Sequence, residues 1–354
     1  MLEEIVDMRL VPVKRLKENS EVAINIIDNN GKLMLKEGQK ITSKGIEILE
    51  KLGITYVYIN DEYCFNNKHS KYTMKIDYLY KSIIELEDIA KKVIRGEAGS
   101  KELSDARLIA TQFVDDVILA KDSLKISYEP NKLIVNSIVE QTIYVAIMAV
   151  ILGVKMELSR ENLIKLCIAA LLKDIALVSP NVKNSGNYGY KEHPRIGYEY
   201  LKKNYALDKE ILQAILHHHE RVDGSGYPNK LKGEEISSFA GIISIVDSFY
   251  EIKINHAMLD KDERVFEEKL KKILIGFDMV IVGYFLKHVE VFTLDTMVIL
   301  NNGDIGIIIK NNTKNPFKPS IKIIKSNYKL EGEIIDFYDN RNLYIKYITY
   351  YVEE

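Results

Sequence analysis

Three consecutive histidines, His217, His218 and His219, end an apolar helical stretch and are followed closely by the turn Asp223-Gly-Ser-Gly-Tyr-Pro228. Imidazole nitrogens are common ligands of zinc, iron and manganese. The glycines allow the backbone to turn tightly, so the following loop can fold over a pocket. Residues 215–228 therefore favour a metal-dependent hydrolase scaffold, although runs of histidine also occur on solvated helix ends.

Helical spacing divides these histidines between two faces. The predicted helix runs from Asp208 to His219, and its apolar stripe, which includes Ile215, is continued by His218 and His219. His217 falls on the other face, where we expect it to be exposed to solvent and to bind no metal. Buried neighbouring imidazoles need hydrogen-bond partners or a metal ion, and the sequence leaves both explanations open.

Three more residues carry polar groups at positions where such groups need a partner. Asp174 ends a very apolar helix, and Asp247 ends another apolar run. Because an isolated buried carboxylate is costly, we expect each to be paired, hydrogen-bonded or metal-bound. His193 stands before Pro194 at the predicted start of a short helix, and histidine is not a preferred N-cap. All three are candidates for the same site as the histidines.

These residues resemble the HD-GYP family of cyclic di-GMP phosphodiesterases, a branch of the HD phosphohydrolases. The resemblance lies in His218-His219-Glu220-Arg221, in Asp223-Gly-Ser-Gly-Tyr-Pro228 and in a His-Pro helix at His193-Pro194. It covers roughly residues 131–290, and residues 10–60 resemble a module often fused to this family. The metal ligands that it implies are Asp174, His193, His218, His219 and Asp247. The substrate-binding residues that we assign with it are Arg221, Gly226, Tyr227 and Pro228.

The sequence departs from the family pattern at several positions. Lys173 replaces the histidine of the His-Asp pair, and Gln141 replaces an earlier helical histidine. Tyr250 stands where the family has a second aspartate. The basic residues that bind phosphate in the family align with Leu177, His256 and Leu259. The resemblance therefore implies a scaffold that has lost metal ligands and most of its substrate clamp.

The charge on Lys173 bears directly on metal binding. An ammonium about 4 Å from a divalent cation is repelled by roughly 8 kcal/mol at an effective dielectric constant near 20. We expect Lys173 to pair with Asp174 or Asp247 in a degenerate catalytic centre, as a fixed positive charge in place of an ion. The alternative is a side chain that reaches the surface. The other ligands would hold one divalent ion (Fe, Mn or Zn) or none.

Composition excludes several classes of protein. The 354 residues are 47% hydrophobic, and 49 basic against 51 acidic side chains leave a net charge of -2, with no overall attraction to nucleic acid or to an anionic membrane. Cys64 and Cys167 make no disulfide framework. The longest apolar stretch, Ile143 to Val154, is shorter than the roughly 20 residues that cross a bilayer. We expect a cytoplasmic protein without a signal peptide or a membrane span.

The texture of the chain predicts a mainly α fold in four regions. We predict a small α+β module at 1–62, a helical connector at 63–130, an all-α HD-GYP-like domain at 131–290 and a small β region at 291–354. A homodimer through residues 72–97 is also predicted. The leading functional hypothesis is a regulator with an eroded centre that binds cyclic di-GMP or a protein partner. The alternatives are an active phosphodiesterase that uses one metal ion and a purely structural interaction module.

Overall fold

The structure, a computed structural model, describes most of the chain. The described residues are 8–27, 33–54, 56–64, 76–95, 99–122, 124–127, 138–178, 186–257, 262–328, 330–337, 340 and 342–352. Ten α-helices and twelve strands lie within these ranges. The predicted fold class is confirmed, since an all-α core carries a small α+β module before it and a small β region after it. None of the described helices is both long and apolar enough to cross a bilayer.

The amino-terminal module consists of five short strands and one helix. These are β1 (Arg9–Pro12), β2 (Glu21–Val22), β3 (Ile26–Ile27), β4 (Leu33–Leu35), α1 (Ser43–Lys51) and β5 (Tyr56–Asn60). The antiparallel order is β1-β5-β2, and β3 pairs with β4. The predicted helix is confirmed as α1. Thr42 caps its start, where Thr42 Oγ1 accepts a hydrogen bond from Gly45 N at 3.1 Å. The β-like run predicted over 21–27 forms two strands with a bend between them.

Two helices connect this module to the core. They are α2 (Ile76–Arg95) and α3 (Ser100–Leu119). Leu86, Ile89 and Ala90 of α2 are buried in the main apolar core. Helix α2 also contacts the 3-10 turn Ile175–Val178 that follows the predicted ligand Asp174. The homodimer predicted through 72–97 stays a prediction, and residues 72–75 and 96–97 lie outside the described residues.

Seven helices form the core. They are α4 (Ile138–Lys155), α5 (Arg160–Leu172), α6 (Gly186–Asn204), α7 (Lys209–His217), α8 (Ser238–Ala257), α9 (Glu263–Leu274) and α10 (Met279–His288). Helix α4 is buried from Ile143 to Leu152, as the sequence predicts, and packs on α5 and α8. A Cβ on Gly153 would lie 2.8 Å from Leu163 Cδ2, so a larger residue there would require the leucine side chain to shift. Helix α5 lies largely in the interior, and Lys173, which directly follows its end, is buried as well.

The carboxyl-terminal region is an antiparallel sheet that continues the helical core. A two-residue parallel pair, β6 (Ile126–Ser127) with β7 (Val289–Glu290), precedes it. The sheet has the order β11-β10-β9-β8-β12. Its strands are β8 (Met297–Leu300), β9 (Ile305–Lys310), β10 (Ser320–Lys325), β11 (Ile334–Asp336) and β12 (Ile345–Thr349). Val298, Ile308 and Ile321 belong to the same apolar core as the helices, so the sheet is packed against the domain.

Candidate metal centre

Four of the five predicted ligands meet in one cluster. One ligand atom from each of Asp174, His193, His218 and His219 lies within 4.8 Å of the others. Asp174 follows the end of α5, His193 comes from α6, and the two remaining histidines follow α7. His193 and His218 are fully buried. The helix ends therefore converge on a set of three imidazoles and one carboxylate.

A proline inside α6 fixes the orientation of His193. The sequence analysis placed the start of a short helix at His193, but α6 begins at Gly186 and contains Pro194 in its interior. Pro194 has no N–H, so the carbonyl of Tyr190 four residues earlier lacks its helical donor. His193 Nδ1 takes that place and forms a short hydrogen bond with Tyr190 O. The other ring nitrogen, Nε2, is thereby directed into the cluster.

The end of α7 fixes His218 in the same way. The last carbonyls of a helix have no partner within the helix, and Ile215 O accepts a hydrogen bond from His218 Nδ1 at 2.7 Å. The Nε2 atoms of His193 and His218 then face each other at 3.1 Å. Asp174 Oδ1 lies 3.1 Å from His193 Nε2 and 3.5 Å from His218 Nε2.

These contacts fit a single metal ion. With Nδ1 of each ring donating to a carbonyl, each neutral imidazole presents an Nε2 lone pair to the other ring and to a carboxylate oxygen. Metal bonds of about 2.1 Å place neighbouring ligand atoms about 3.0–3.4 Å apart, close to the three observed distances. Burial lowers the pKa of His218 and lowers the pKa of His219 further, which favours the neutral form that binds metals.

Lys173 lies between two carboxylates, those of Asp174 and Asp247. The Lys173 side chain is 1% exposed and forms a very short ion pair with Asp174 Oδ2. Its Nζ lies 3.3 Å from Asp247 Oδ1. Burial alone would lower the pKa of Lys173, but the carboxylates outweigh it and raise that pKa. Asp247, the fifth predicted ligand, is thus an ion-pair partner of Lys173 outside the four-residue cluster, and its role as a ligand stays a prediction.

The same charges set the state of Asp174. Burial would raise the pKa of this carboxyl, but the Lys173 ammonium and the His193 and His218 rings hold the pKa well below its usual range. Asp174 is therefore ionised, with Oδ1 toward the histidines and Oδ2 toward Lys173. One carboxylate links the candidate metal position to the buried ammonium.

Residues 220–232, the signature loop, close over the cluster. Glu220 is buried, and its two oxygens accept hydrogen bonds from Asn229 N at 2.6 Å and Leu231 N at 3.0 Å. Tyr227 stacks on His219, with ring centroids 4.7 Å apart. The peptide bond between Tyr227 and Pro228 is cis. A buried carboxylate and an aromatic stack thus hold the loop against the ligands.

Arg221 fastens the loop to the core. Its Nη1 donates to Ser244 Oγ at 2.6 Å, its Nη2 donates to Ser248 Oγ at 3.1 Å, and its guanidinium lies over the Phe277 ring at 4.5 Å. The substrate contact assigned to Arg221 stays a prediction, since the observed partners belong to α8 and to the turn before α10.

The chain is similar in sequence to known protein families and to characterised proteins. A family model described as an HD domain matches residues 121–265, and one described as a KOW domain associated with HD domain matches residues 297–350. The chain is 28% identical over 216 residues to the cyclic di-GMP phosphodiesterase PdeB of Borreliella burgdorferi, covering 58% of this chain and 56% of that protein. It is 25% identical over 183 residues to the cyclic di-GMP phosphodiesterase PA4108 of Pseudomonas aeruginosa, covering 48% and 44%. Residues 121–265 therefore form an HD domain, and the similarity to these phosphodiesterases supports its HD-GYP branch.

Two further matches differ in what they cover. The response regulator RpfG of Xanthomonas campestris, named as a cyclic di-GMP phosphodiesterase, is 51% identical over 61 residues, which are 17% of this chain and 16% of that protein. A solved structure of an HDG"Y"P protein from Bdellovibrio bacteriovorus, Bd1817, is 16% identical, with a TM-score of 0.47 over 79% of this chain and 98% of that one. The chain spans about half the length of PdeB and PA4108.

Of the five other positions that the sequence analysis gives as departures from the family pattern, four lie within the described residues. Gln141 is half-buried in α4, and Leu177 is half-buried in the 3-10 turn after Asp174. Tyr250 is buried and stacks on Tyr144 of α4 at 6.4 Å. His256 is buried, and its Nε2 lies 3.1 Å from Glu263 Oε1. Leu259 lies outside the described residues.

The exposure predicted for His217 is wrong. The side chain is buried, and its Nδ1 accepts a hydrogen bond from Ser237 N at 3.3 Å. The chain leaving the signature loop folds back over this face of α7, and helical spacing alone cannot show such a long-range contact. His217 is outside the four-residue cluster, so it is a buried structural histidine.

Glu220 is the main feature of the site that the sequence analysis left unassigned. Local spacing does not mark it, because its partners are the backbone N–H groups of Asn229 and Leu231, 9 and 11 residues further along the chain. Gly226 lies directly against the end of α7. A Cβ at this position would lie 2.4 Å from Arg221 N and 2.5 Å from Glu220 Cα. The loop crosses the end of α7 at a distance that only glycine permits.

Proposed function

We propose that this chain is an HD-GYP regulator with one metal ion, which binds a cyclic dinucleotide such as cyclic di-GMP, or a protein partner, and hydrolyses little or nothing. The observation that carries this proposal is the Lys173 ammonium between Asp174 and Asp247. The similarity to PdeB and PA4108, both named as cyclic di-GMP phosphodiesterases, supports the ligand class. The cytoplasm is the proposed location.

Asp174, His193, His218 and His219 would hold the metal ion, and their nitrogen and oxygen donors suit iron, manganese or zinc. When bound, a divalent ion supplies Lewis acidity and a water molecule of lowered pKa. The protein contributes the orientation of the ligands. Carbonyl oxygens hold the rings of His193 and His218, and Lys173 holds Asp174 ionised. The signature loop covers His219, because the Tyr227 ring stacks on the imidazole.

The residues beside this metal position are poorly suited to phosphodiester hydrolysis, so we expect it to be slow. A phosphodiester needs its developing negative charge neutralised as the P–O bond breaks, and a second metal ion or basic side chains serve this purpose. Lys173 is a cation, but its ammonium is already paired with the carboxylates of Asp174 and Asp247. His256 is engaged with Glu263, and Tyr250 packs on Tyr144. Charge stabilisation around a bound phosphate is therefore poor.

The alternative function is an active phosphodiesterase that uses one metal ion. The four-ligand cluster favours it, because two preoriented Nε2 lone pairs and an ionised carboxylate remain available. The second alternative, a purely structural interaction module, requires that the cluster hold no metal. Metal content and turnover together separate the three functions.

The decisive experiment measures metal content and cyclic di-GMP turnover on the same purified protein. The proposal expects near one equivalent of iron, manganese or zinc, saturable ligand binding and negligible turnover with added manganese or ferrous iron. His218→Ala should lose the metal, whereas His217→Ala, a matched change at the adjacent buried histidine, should keep it. Turnover that the His218→Ala variant abolishes would establish the active enzyme instead, and absence of metal from the wild-type protein would support the structural module.

A double substitution tests the degenerate positions. Lys173→His with Gln141→His should raise the metal content above that of the wild-type protein, because it removes the ammonium and supplies two imidazoles. An unchanged metal content would show that Gln141 and Lys173 do not occupy the ligand positions that the family resemblance gives them.

A further inference from the structure

Two exposed side chains lie one helical turn away from buried groups of the candidate metal centre. Tyr190 comes three residues before His193 on α6, and Glu251 comes four residues after Asp247 on α8, so each shares a helix face with its buried neighbour. His193 and Asp247 are buried, whereas Tyr190 is 45% exposed and Glu251 is exposed. The two outer side chains are thus accessible to a ligand that reaches the centre from solvent.

The Tyr190 ring covers two of the candidate metal ligands. Its centroid lies 5.2 Å from that of His193 and 6.0 Å from that of His219. The part of the ring that these imidazoles do not cover is open to solvent. Nucleobases stack on exposed aromatic side chains of this kind, and every base offers a face for such a contact. Tyr190 therefore provides a stacking surface directly beside the candidate metal position.

Glu251 and Tyr190 face the same space. Burial raises the pKa of the Tyr190 phenol to about 12, and the carboxylates of Asp174, Glu251 and Asp247 add to the rise. Burial also raises the pKa of Glu251, and Asp247 adds to that rise. Since interactions between charges weaken with distance, the Tyr190 hydroxyl and the Glu251 carboxylate lie on the same side of the centre. This agrees with the helix faces on which the two residues stand.

The oxygens of Glu251 are available to a ligand. Glu251 forms no hydrogen bond or ion pair with any residue that the structure describes. It is unsuited to contact with a phosphate, because both groups are anionic. A carboxylate only accepts hydrogen bonds, and its two oxygens match a pair of adjacent N–H donors. Glu251 therefore suits the part of a nucleotide that carries such donors, which is the base.

We propose that Tyr190 and Glu251 form a guanine subsite, in which one base of a cyclic dinucleotide stacks on Tyr190 and donates to Glu251. The ligand class is that of the proposed function, on which this inference rests. The Watson–Crick edge of guanine presents N1–H and N2–H₂ side by side, and both can donate to one carboxylate. Adenine has an acceptor nitrogen at the first of these positions, so a carboxylate repels it. The subsite selects guanine over adenine.

Calorimetric titration of the full chain with added manganese tests this selectivity. Cyclic di-GMP should bind about 10-fold to 100-fold more tightly than cyclic di-AMP, because hydrogen bonds to a charged group contribute this much. The mixed dinucleotide 3′3′-cyclic GMP-AMP should bind within a few-fold of cyclic di-GMP, since one guanine fills the subsite. Equal affinities for cyclic di-GMP and cyclic di-AMP would overturn the selection of guanine.

Glu251→Gln tests the hydrogen-bonding partner. The variant should lower the ratio of the two affinities by about 10-fold, because the amide offers one oxygen and turns an NH₂ group toward the second donor. The ratio is the measured quantity, since removing a negative charge near the phosphates affects both ligands alike. Glu199→Gln is the matched control, because Glu199 is exposed on another face of α6. An unchanged ratio in Glu251→Gln, or an equal fall in both variants, would overturn the role of Glu251.

Tyr190→Leu tests the stacking surface. It should weaken both cyclic dinucleotides by about 10-fold to 100-fold, whereas Tyr190→Phe keeps the ring and should lose far less. Metal content is measured on each variant, because the Tyr190 ring contacts His193 and His219. Full affinity in a metal-loaded Tyr190→Leu protein would overturn the stacking surface. Equal losses in the leucine and phenylalanine variants would assign the effect to the hydroxyl and likewise overturn stacking.

Metal analysis of the wild-type protein separates failure of the subsite from failure of the proposed metal-dependent regulator. A metal-loaded protein that binds cyclic di-GMP without the Glu251-dependent selection would overturn the subsite alone. A metal-loaded protein that binds neither cyclic dinucleotide would overturn the subsite and the ligand class, and would leave the metal centre. A metal-free protein that still selects guanine through Glu251 would overturn the metal centre and support the subsite.

Discussion

Lys173 Nζ lies 3.3 Å from Asp247 Oδ1 while the same ammonium forms its shorter ion pair with Asp174. Two buried carboxyl groups therefore share one buried ammonium. A buried ion pair adds little stability compared with apolar packing, but removing one partner leaves an uncompensated charge. The arrangement thus makes the fold and the candidate metal centre depend on the same side chain.

Replacing Lys173 with methionine should destabilise the metal-free protein by about 3–5 kcal/mol, because Asp174 and Asp247 lose their counterion in the interior. The same variant should gain affinity for divalent ions, and added manganese should restore much of the lost stability by mass action. Urea unfolding with chelator and with manganese measures both effects. Lys165→Met is the control, because Lys165 forms partly exposed ion pairs with Asp208 and Glu161 and should change stability far less. A stable Lys173→Met protein that is indifferent to manganese would contradict this account.

The sequence predicted most of the helices from local patterns, and the family resemblance brought together most of the candidate ligands, whose binding of a metal stays a prediction. The apolar run around Ile143 is a buried helix, and His193, His218, His219 and Asp174 come together as expected. Helical spacing placed His218 inward correctly. It failed for His217, because burial there comes from the Ser237 segment that folds back from 20 residues away.

The position of Pro194 within its helix and the two partners of Lys173 could not be predicted from the sequence, because both depend on how the chain packs. Pro194 suggested a helix start, but it sits inside α6, where His193 Nδ1 satisfies the carbonyl that Pro194 leaves without a donor. Lys173 was expected to pair with Asp174 or Asp247, with the surface as an alternative. It pairs with both, because α5 ends deep in the core and no path to solvent exists for a side chain that is 1% exposed.

Glu220→Gln should loosen the signature loop. Glu220 uses one oxygen for Asn229 N and the other for Leu231 N, whereas glutamine offers only one oxygen and turns an NH₂ group toward the second N–H. We expect a loss of about 2–3 kcal/mol, since one charge-assisted hydrogen bond is lost and a buried N–H is left unpaired. Thermal unfolding and exchange of the Asn229 and Leu231 amides measure the change. Glu235→Gln is the control, because Glu235 is exposed and accepts a single bond from Lys232 N; comparable losses in both variants would refute the anchoring role.

Cys64 should react with alkylating reagents only at high pH. Burial raises the pKa of this thiol to about 11 from an ordinary value of 9.0, although a hydrogen bond with the Asp61 backbone lowers it in part. At pH 8 the thiolate fraction is then about 100-fold lower than for an ordinary cysteine. Because the folded state holds the proton more tightly, this group's contribution to stability falls as the pH rises from 9 to 11. Iodoacetamide labelling followed by peptide mass spectrometry should give a rate that still increases above pH 10, and a plateau near pH 9 in the folded protein would exclude the raised pKa.

Gly226→Ala should disturb the loop more than its single methyl group suggests. A Cβ at this position would lie 2.4 Å from Arg221 N and 2.6 Å from Glu220 C, and backbone atoms at the end of α7 cannot move aside as a flexible side chain would. We expect a loss of about 1–3 kcal/mol from overpacking. Tyr227 follows directly and stacks on His219, so the displaced loop should also reduce metal retention on dialysis. Gly283→Ala is the matched control, because that glycine is helical with open space around it and alanine there should stabilise the protein by about 0.5–1 kcal/mol. Thermal unfolding compares the two variants, and a Gly226→Ala protein with unchanged stability and metal content would show that the loop does not need its close approach to α7.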